Sequence, residues 1–312
     1  MMTSSRRRPD RSPLCAGLLA CLAASLAACT LTPSGAPPTL SPQRIAQIIA
    51  SRDRSAADRT NDLRRKPELM LAFIGIRPGM TALDVSAGGG YTSELLARAI
   101  GPAGTVYGQS QPRDPNRAPP APAAPEGASP PTPADDAAQA PARPPPPPPP
   151  PPLPSPSTPR TSAAALAERD AKLRSAGVAA AAIVPVAQRF DDPVPSALAA
   201  ERLDLVTLMF NYHDLGFMGV DRAQMNEAIF RALKPGGAYV IADHAGRPGT
   251  GISESGTLHR IEEAFLRNEV EAAGFRLAAE ADFLRNPADP RDRNTPEPPQ
   301  PKDEFVLKFV KP

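Results

Sequence analysis

Residues 84–92 read Asp-Val-Ser-Ala-Gly-Gly-Gly-Tyr-Thr, and this stretch decides which fold the chain adopts. The apolar run at 80–86 predicts a buried strand, and the pattern of 91–100 predicts a helix that ends at Gly101. Glycines between a strand and a helix let the backbone approach a ligand and present amide donors at the helix N-terminus. The turn therefore predicts a ligand site, although a dinucleotide site or a simple tight turn would show the same pattern.

Strand and helix patterns alternate outward from this turn. Further strands are predicted at 105–108, 182–186, 203–210 and 238–242, and further helices from Ser41-Pro42, at 163–176, at 221–233 and at 258–270. The charged stretch 51–66 predicts a surface helix or an irregular segment. Two last strands, 275–284 and 304–310, are joined without a helical pattern, which favours an antiparallel hairpin. The predicted fold class is α/β: a doubly wound seven-stranded sheet, mostly parallel, with a C-terminal antiparallel hairpin.

Three features of the chain resemble class I S-adenosylmethionine-dependent methyltransferases. The acid and spaced glycines of 84–90 resemble the family's first motif, Lys234-Pro235-Gly236-Gly237 resembles its turn before the fifth strand, and the final hairpin resembles its last two strands. The resemblance covers 67–312 and implies a Rossmann-like methyltransferase fold, methyl transfer, and S-adenosylmethionine as cofactor. More narrowly, 211–214 and 243–251 resemble a bacterial subgroup of predicted methyltransferases that are often secreted.

The resemblance also implies cofactor-binding positions. Asp84 would orient the loop and face the methionine part of the cofactor, while the amides of 87–90 would pack against the methionyl group and ribose. Gln109 and Ser110 stand where the family has an acid for the ribose hydroxyls, so they would bind as neutral groups. Phe190, after the third strand, would stack on adenine or else cap the core. The implied cofactor-binding residues are Asp84, Ser86, Ala87, Gly88, Gly89, Gly90, Tyr91, Gln109, Ser110, Phe190, Asp191 and Asn211.

Polar residues that follow the fourth and fifth strands are the candidates for contact with the methyl acceptor, because ligands of doubly wound sheets bind beyond the carboxyl ends of the strands. His213 or Asp214 could act as general base on a hydroxyl or amine, or His213 could be a packing residue. His259 stands on a predicted helix beside two glutamates, as on a solvated face. The predicted catalytic residues are His213, Asp214, Asp243 and His244. These four could also form a metal site if the strand ends converge, but the spacing does not require one and no metal is predicted.

The first forty residues predict export rather than part of the folded domain. Four arginines precede an apolar run at 14–28, which is short for a membrane span. The run ends in Leu26-Ala27-Ala28-Cys29, which resembles the lipobox of bacterial lipoproteins and implies lipidation of Cys29; an ordinary signal peptide cut near Ala28 is the alternative. The predicted organisation is a signal peptide at 1–28, a lipid-anchor tether at 29–40 and a methyltransferase-like domain at 41–312, held in the cell envelope and facing the periplasm.

Proline interrupts this domain. Of the 43 prolines, 22 fall between 112 and 159, including nine in a row from Pro144 to Pro152. Proline removes backbone donors and fixes φ, so neither a helix nor a sheet can continue there. The segment 111–160 is predicted to be a disordered insertion, either a low-complexity expansion or a site for a proline-binding module.

The charge and cysteine content exclude some partners. The net charge is +2 and the leader carries four Arg and one Asp, so the rest of the chain carries about −1, which gives no reason to expect nucleic acid. All three cysteines lie within the first 29 residues, so no disulfide is predicted. We therefore predict a small-molecule substrate and membrane contact through the lipid anchor. A catalytically inactive binding or structural lipoprotein is the main alternative, and a nicotinamide dehydrogenase, suggested by Gly88-x-Gly90-x-x-Ser93, fits less well because of the hairpin.

Overall fold

The computed structural model describes residues 38–112, 161–296 and 300–312. The helices are α1 (Pro42–Ile49), α2 (Ala56–Arg65), α3 (Pro67–Ile74), α4 (Tyr91–Ile100), α5 (Ser162–Ser175), α6 (Asp214–Phe217), α7 (Arg222–Ala232), α8 (Ser255–Leu258) and α9 (Glu263–Ala272). The strands are β1 (Thr81–Val85), β2 (Thr105–Ser110), β3 (Ala182–Ala187), β4 (Leu203–Met209), β5 (Leu233–His244), β6 (Arg276–Ala281) and β7 (Glu304–Val310). The predicted signal peptide, Cys29, most of the tether and nearly all of the proline-rich insertion lie outside the described residues. Within the described ranges, no helix is long and apolar enough to cross a bilayer.

The seven strands form one sheet in the order β3-β2-β1-β4-β5-β7-β6. The first five strands pair in parallel, and β7 pairs antiparallel with both β5 and β6. The predicted fold class, including the C-terminal hairpin, is confirmed. Because the chain moves outward from β1 through β2 and β3 and then returns to β4, the order reverses between β1 and β4. In doubly wound sheets, that reversal opens a crevice beyond the strand ends where ligands bind.

Helices cover both faces of the sheet, which explains why the central strands are mostly apolar. On one face, α1, α3, α4 and α5 bury residues such as Leu71, Leu96 and Leu166 against the sheet. On the other face, α7 and α9 bury Ile229 and Leu266. The core therefore consists of two apolar layers, and the polar ends of β1, β4 and β5 remain between them at one edge.

Helix starts follow the capping residues that the sequence supplies. Ser41 and Asp221 accept hydrogen bonds from the backbone amides three residues later, as their positions before α1 and α7 predict. The segment 51–66 contains α2, whose cap is Ser55. The predicted turn at 234–237 is instead a bulge inside β5: Leu203 and Leu205 of β4 pair with residues on either side of it.

The predicted helix at 258–270 is wrong in its first turn. Leu258 ends the short helix α8, His259 adopts a left-handed φ of 51°, and α9 begins only at Glu263. The physical reason is Ile261, which forms a bridge with Ala245 and is fully buried there, so the backbone between α8 and α9 is extended. The last predicted strand pair is also shorter than expected, since β6 ends at residue 281.

Candidate functional site

The glycine turn between β1 and α4 exposes two backbone amides. Its residues Ser86, Gly88 and Gly90 have φ values of 58°, 52° and 79°, so the backbone alternates through left-handed conformations. The Ala87 and Gly90 amides donate to backbone carbonyls. Among the described residues, the amides of Gly88 and Gly89 find no protein acceptor, and a Cβ added at Gly89 would meet nothing within 4 Å. Both residues are exposed.

Helix α5 holds the other side of the turn. The Ser162 hydroxyl donates to the Gly88 carbonyl, and the Arg169 Nε donates to the Gly89 carbonyl at 2.6 Å. A Cβ at Gly90 would lie 2.8 Å from the Arg169 Cδ and 2.9 Å from Leu166, so only glycine fits under this helix. Helix α5 thus binds carbonyl groups of the turn and not its amides.

The buried side chains of Asp84 and Gln109 hold the turn in place by hydrogen bonds. Asp84 is buried, and its two carboxylate oxygens accept from the hydroxyls of Ser93, at 2.6 Å, and Thr207, at 2.8 Å. Burial raises the pKa of Asp84 to about 6, against the effect of these two hydrogen bonds. Gln109 is fully buried; its Oε1 accepts from the Ser86 amide at 2.9 Å and its Nε2 donates to a backbone carbonyl of residue 188. Both side chains act here by holding the loop and the strands together.

The residues assigned to ribose and adenine have different surroundings. Ser110, the last residue of β2, is half-buried. Phe190 is buried in the core, packed on the same face as α7 and α9. Asp191 forms an ion pair with Arg189, whose Nε donates to it at 2.8 Å, and this interaction lowers the pKa of Asp191. The structure therefore gives Phe190 the core position that was the alternative to adenine stacking.

Asn211 links the glycine turn to the residues that follow β4. Phe210 turns the chain there with a left-handed φ of 60°. The Ser86 hydroxyl donates to the Asn211 Oδ1 at 2.7 Å, and the Asn211 Nδ2 donates to the Asp214 Oδ2 at 2.9 Å. One side chain thus joins the proposed cofactor loop to the proposed catalytic residues.

The chain has three histidines, and all of them meet beyond the ends of β4 and β5. The His213 Nδ1 lies 2.6 Å from the Asp243 Oδ1, and its Nε2 lies 3.0 Å from the Asp214 Oδ1. The His259 Nδ1 lies 2.8 Å from that same Asp214 oxygen. The ring of His244 lies 5.2 Å from the ring of His213, centroid to centroid. The sequence pattern did not indicate His259, because its helical spacing placed it on a solvated face.

The pKa values of the histidines and aspartates in this cluster are shifted by burial and by the charges of their neighbours. Burial alone would lower the pKa of His213, but the carboxylates of Asp243 and Asp214 outweigh it and raise that pKa to about 9. In return, the histidine holds the pKa of Asp243 below its usual range despite complete burial. His244 is different: burial, reinforced by the positive charge of Lys302, holds its pKa well below the usual value. The cluster therefore contains both a charged imidazole and a neutral one.

Helix α2 forms a second wall of the candidate site, which the sequence pattern did not predict. The Tyr91 hydroxyl, at the start of α4, donates to the Asp62 Oδ1 at 2.7 Å. The Arg65 guanidinium lies 5.2 Å above the Tyr91 ring and 4.8 Å above the Phe210 ring. Arg169 of α5 forms two 2.8 Å bonds with Asp58 of α2. Between α2, α3, α4 and β4 lies an apolar crevice lined by Pro67, Met70, Leu71, Tyr91, Met209 and Phe210, among others.

Searches for similar proteins found solved structures only. No protein-family model matches the chain, and no curated protein sequence does. The chain is similar to an S-adenosylmethionine-dependent methyltransferase from Aquifex aeolicus, with 15% identity over 88% of this chain and 100% of that chain and a TM-score of 0.48. It is also similar to a TehB-like S-adenosylmethionine-dependent methyltransferase from Corynebacterium glutamicum, with 14% identity over 86% and 95% and a TM-score of 0.41.

A third similar structure is fibrillarin from Aeropyrum pernix with natively bound S-adenosylmethionine, with 15% identity over 75% of this chain and 67% of that chain and a TM-score of 0.38. All three TM-scores lie below 0.5.

Proposed function

We propose that the chain is an S-adenosylmethionine-dependent methyltransferase that acts on a small-molecule acceptor. One observation carries the proposal: the exposed residues Gly88 and Gly89, whose amides have no acceptor among the described residues, lie at the point where the strand order reverses. Polar oxygens of a nucleoside or amino acid are suitable acceptors for such donors. The Ser86 hydroxyl of the turn donates to Asn211, where the polar cluster after β4 begins. A cofactor at the turn and a methyl acceptor at the cluster would therefore lie next to each other.

The residues of the turn fit the cofactor. Gly89 carries no side chain that could fill the open space beside the turn, and the buried Asp84 fixes the start of α4 relative to β1 and β4. At the end of β2, the half-buried Ser110 would hydrogen-bond to the ribose. The Gln109 side-chain amide is not free to do so, because it already bonds to the Ser86 amide and to the backbone carbonyl of residue 188. When bound, S-adenosylmethionine supplies an electrophilic methyl group on a positively charged sulfur.

The chain's own contribution is positioning. The lone pair of an acceptor oxygen or nitrogen forms the new bond to the methyl carbon as the carbon–sulfur bond breaks, and the acceptor's proton leaves to a base. Asp214 is half-buried, is held by Asn211, and lies at the mouth of the histidine cluster, where it can accept that proton. Holding acceptor and methyl group in line accounts for most of the rate increase in such transfers.

Calorimetry with the purified chain and S-adenosylmethionine tests the binding step. We expect one site in the parent protein and at least tenfold weaker binding in Gly89→Val, because the added side chain enters the open crevice without straining the backbone. Ala199→Val adds similar bulk to an exposed residue before β4, at the opposite edge of the sheet, and should bind as the parent does. A folded parent that binds no S-adenosylmethionine, or an unaffected Gly89→Val, would refute the assignment of this loop.

We also propose that the protein is exported and anchored in the cell envelope by a lipid on Cys29. The support is the basic, apolar and Leu-Ala-Ala-Cys succession of the leader. In cells fed with labelled palmitate, the parent should carry label and sediment with membranes, Cys29→Ser should lose both properties, and Cys21→Ser should keep them. Labelling that survives Cys29→Ser would rule out this anchor.

A further inference from the structure

The histidine cluster has the arrangement of a metal centre, and we propose that it binds a divalent transition metal such as Zn²⁺. The three ligand atoms are the His213 Nε2, the Asp214 Oδ1 and the His259 Nδ1. The Asp214 oxygen lies 3.0 Å from the first nitrogen and 2.8 Å from the second, and all three atoms lie within 4.8 Å of one another. Zinc holds nitrogen and oxygen ligands at about 2.0–2.2 Å, which brings neighbouring ligand atoms to about 3.0–3.5 Å from each other. Small side-chain shifts therefore suffice to close the site on an ion.

The surroundings of His213 are those of a metal-binding histidine. Its Nδ1 lies 2.6 Å from the Oδ1 of Asp243, and its backbone amide donates to the Oδ2 of the same residue at 2.8 Å. Asp243 also accepts from the His244 amide at 2.8 Å and has no exposed surface, so its carboxylate cannot move away. A carboxylate that holds one ring nitrogen fixes the ring and turns the other nitrogen towards the ion. Here that other nitrogen points at Asp214.

The two remaining ligands are positioned as well. The Asn211 Nδ2 donates to the Asp214 Oδ2 at 2.9 Å, which leaves the Oδ1 turned towards both histidines. His259 has a left-handed φ of 51°, a conformation that a non-glycine residue adopts at a cost and that is frequent at functional sites. The buried bridge between Ile261 and Ala245 holds the chain in that position. Each ligand thus has an independent support.

The donor set indicates which ions would bind. Two imidazoles and one carboxylate suit zinc or ferrous iron, and among the described residues no cysteine belongs to the group. Three protein ligands leave at least one coordination position for water or a ligand oxygen, as in catalytic zinc sites. The His259 side chain is 38% exposed, so the open position would face solvent rather than the core. The proposed site does not depend on methyl transfer and would exist in an inactive binding protein too.

Metal binding can be measured on the full chain, purified without a polyhistidine tag and stripped with EDTA. We expect one Zn²⁺ per chain by calorimetry. Co²⁺ bound at the same site should show the visible absorption that is typical of a low coordination number. His259→Ala should weaken Zn²⁺ binding at least 100-fold, and Asp243→Asn should weaken it about 10- to 100-fold through His213. Circular dichroism melting without metal establishes that each variant folds.

His244→Gln is the matched control, because His244 lies in the same cluster but is not one of the three ligands. It should bind Zn²⁺ about as tightly as the parent, because His244 makes no hydrogen bond to any of the three ligand side chains. Stoichiometric binding that is lost in His259→Ala and kept in His244→Gln would support the site. The proposal would be overturned by a folded parent that binds less than a tenth of an equivalent, by a His259→Ala variant that binds as the parent does, or by loss of binding in His244→Gln alone.

Discussion

Replacing Asp84 with asparagine should stabilise the protein at neutral and alkaline pH. In the folded chain the pKa of Asp84 is raised to about 6 by burial, whereas an exposed aspartate has a pKa of about 4. A carboxyl group with a raised folded pKa favours the folded state while it is protonated, and that contribution is lost as the pH rises through about 6. The difference of about two pKa units corresponds to about 3 kcal/mol at pH 8 and to less than about 1 kcal/mol near pH 4.

Asparagine has nearly the same shape and never ionises. The Ser93 and Thr207 hydroxyls, which now donate to Asp84, can rotate so that one donates to the new amide oxygen and the other accepts from the new amide nitrogen. We therefore expect Asp84→Asn to raise the free energy of unfolding by about 3 kcal/mol at pH 8, or the melting temperature by roughly 6–12 °C for a chain of this size. On the proposed function, S-adenosylmethionine should also bind more weakly to Asp84→Asn, because a buried negative charge beside the glycine turn is lost.

Urea unfolding of parent and variant at pH 4, 6 and 8 measures this difference. Asp282→Asn, at an exposed aspartate, is the control and should change stability equally little at all three values. The reasoning fails if Asp84→Asn is less stable than the parent at pH 8. It also fails if the gain is the same at pH 4 as at pH 8, because a gain without pH dependence cannot come from ionisation.

Three further changes test single contacts, each by urea unfolding against the parent. Gly90→Ala should lose about 1–3 kcal/mol, since the position has a φ of 79° and a new Cβ would press on the Arg169 side chain 2.8 Å away. Asp289→Ala should lose about 3–5 kcal/mol, because it leaves the fully buried Arg260 guanidinium without the carboxylate that lies 2.8 Å from it. Tyr91→Phe should lose about 0.5–1.5 kcal/mol together with the hydrogen bond to α2. Unfolding free energies equal to that of the parent would contradict the contact assigned in each case.

The positions of the central strands could be predicted because burial on both faces produces a simple signal. β1 and β4 lie in the middle of the sheet, so most residues of each are apolar, and such runs stand out between charged segments. The hairpin of β6 and β7 followed from the lack of a helical pattern between them. Convergence of the polar residues after β4 and β5 also followed, because neighbouring parallel strands end at the same edge.

What could not be predicted depends on contacts between residues far apart in sequence. Leu258 and Ile261 have helical spacing, but Ile261 gains more from the buried bridge with Ala245 than from a helix, and His259 is turned into the cluster as a result. Helix α2 has only one buried residue, Asp58, and its partner Arg169 is 111 residues away, beyond the proline-rich segment. No local sequence pattern contains such a pairing. In the sequence, the charged stretch that forms α2 therefore looks the same as a solvent-exposed helix.

Asp84 and Asp243 show why position along a strand does not determine the chemistry of a residue. Each is the penultimate residue of its strand, on either side of β4, and each is buried. The partners of Asp84 are neutral hydroxyls, which cannot compensate for lost hydration, so its pKa rises. The partner of Asp243 is the imidazole of His213, which can carry a proton, so the pKa of Asp243 falls although it is at least as deeply buried. The same residue type at equivalent positions therefore supports a loop in one strand and holds a histidine ring in the other. The side chains packed against each aspartate decide which of these two roles it has.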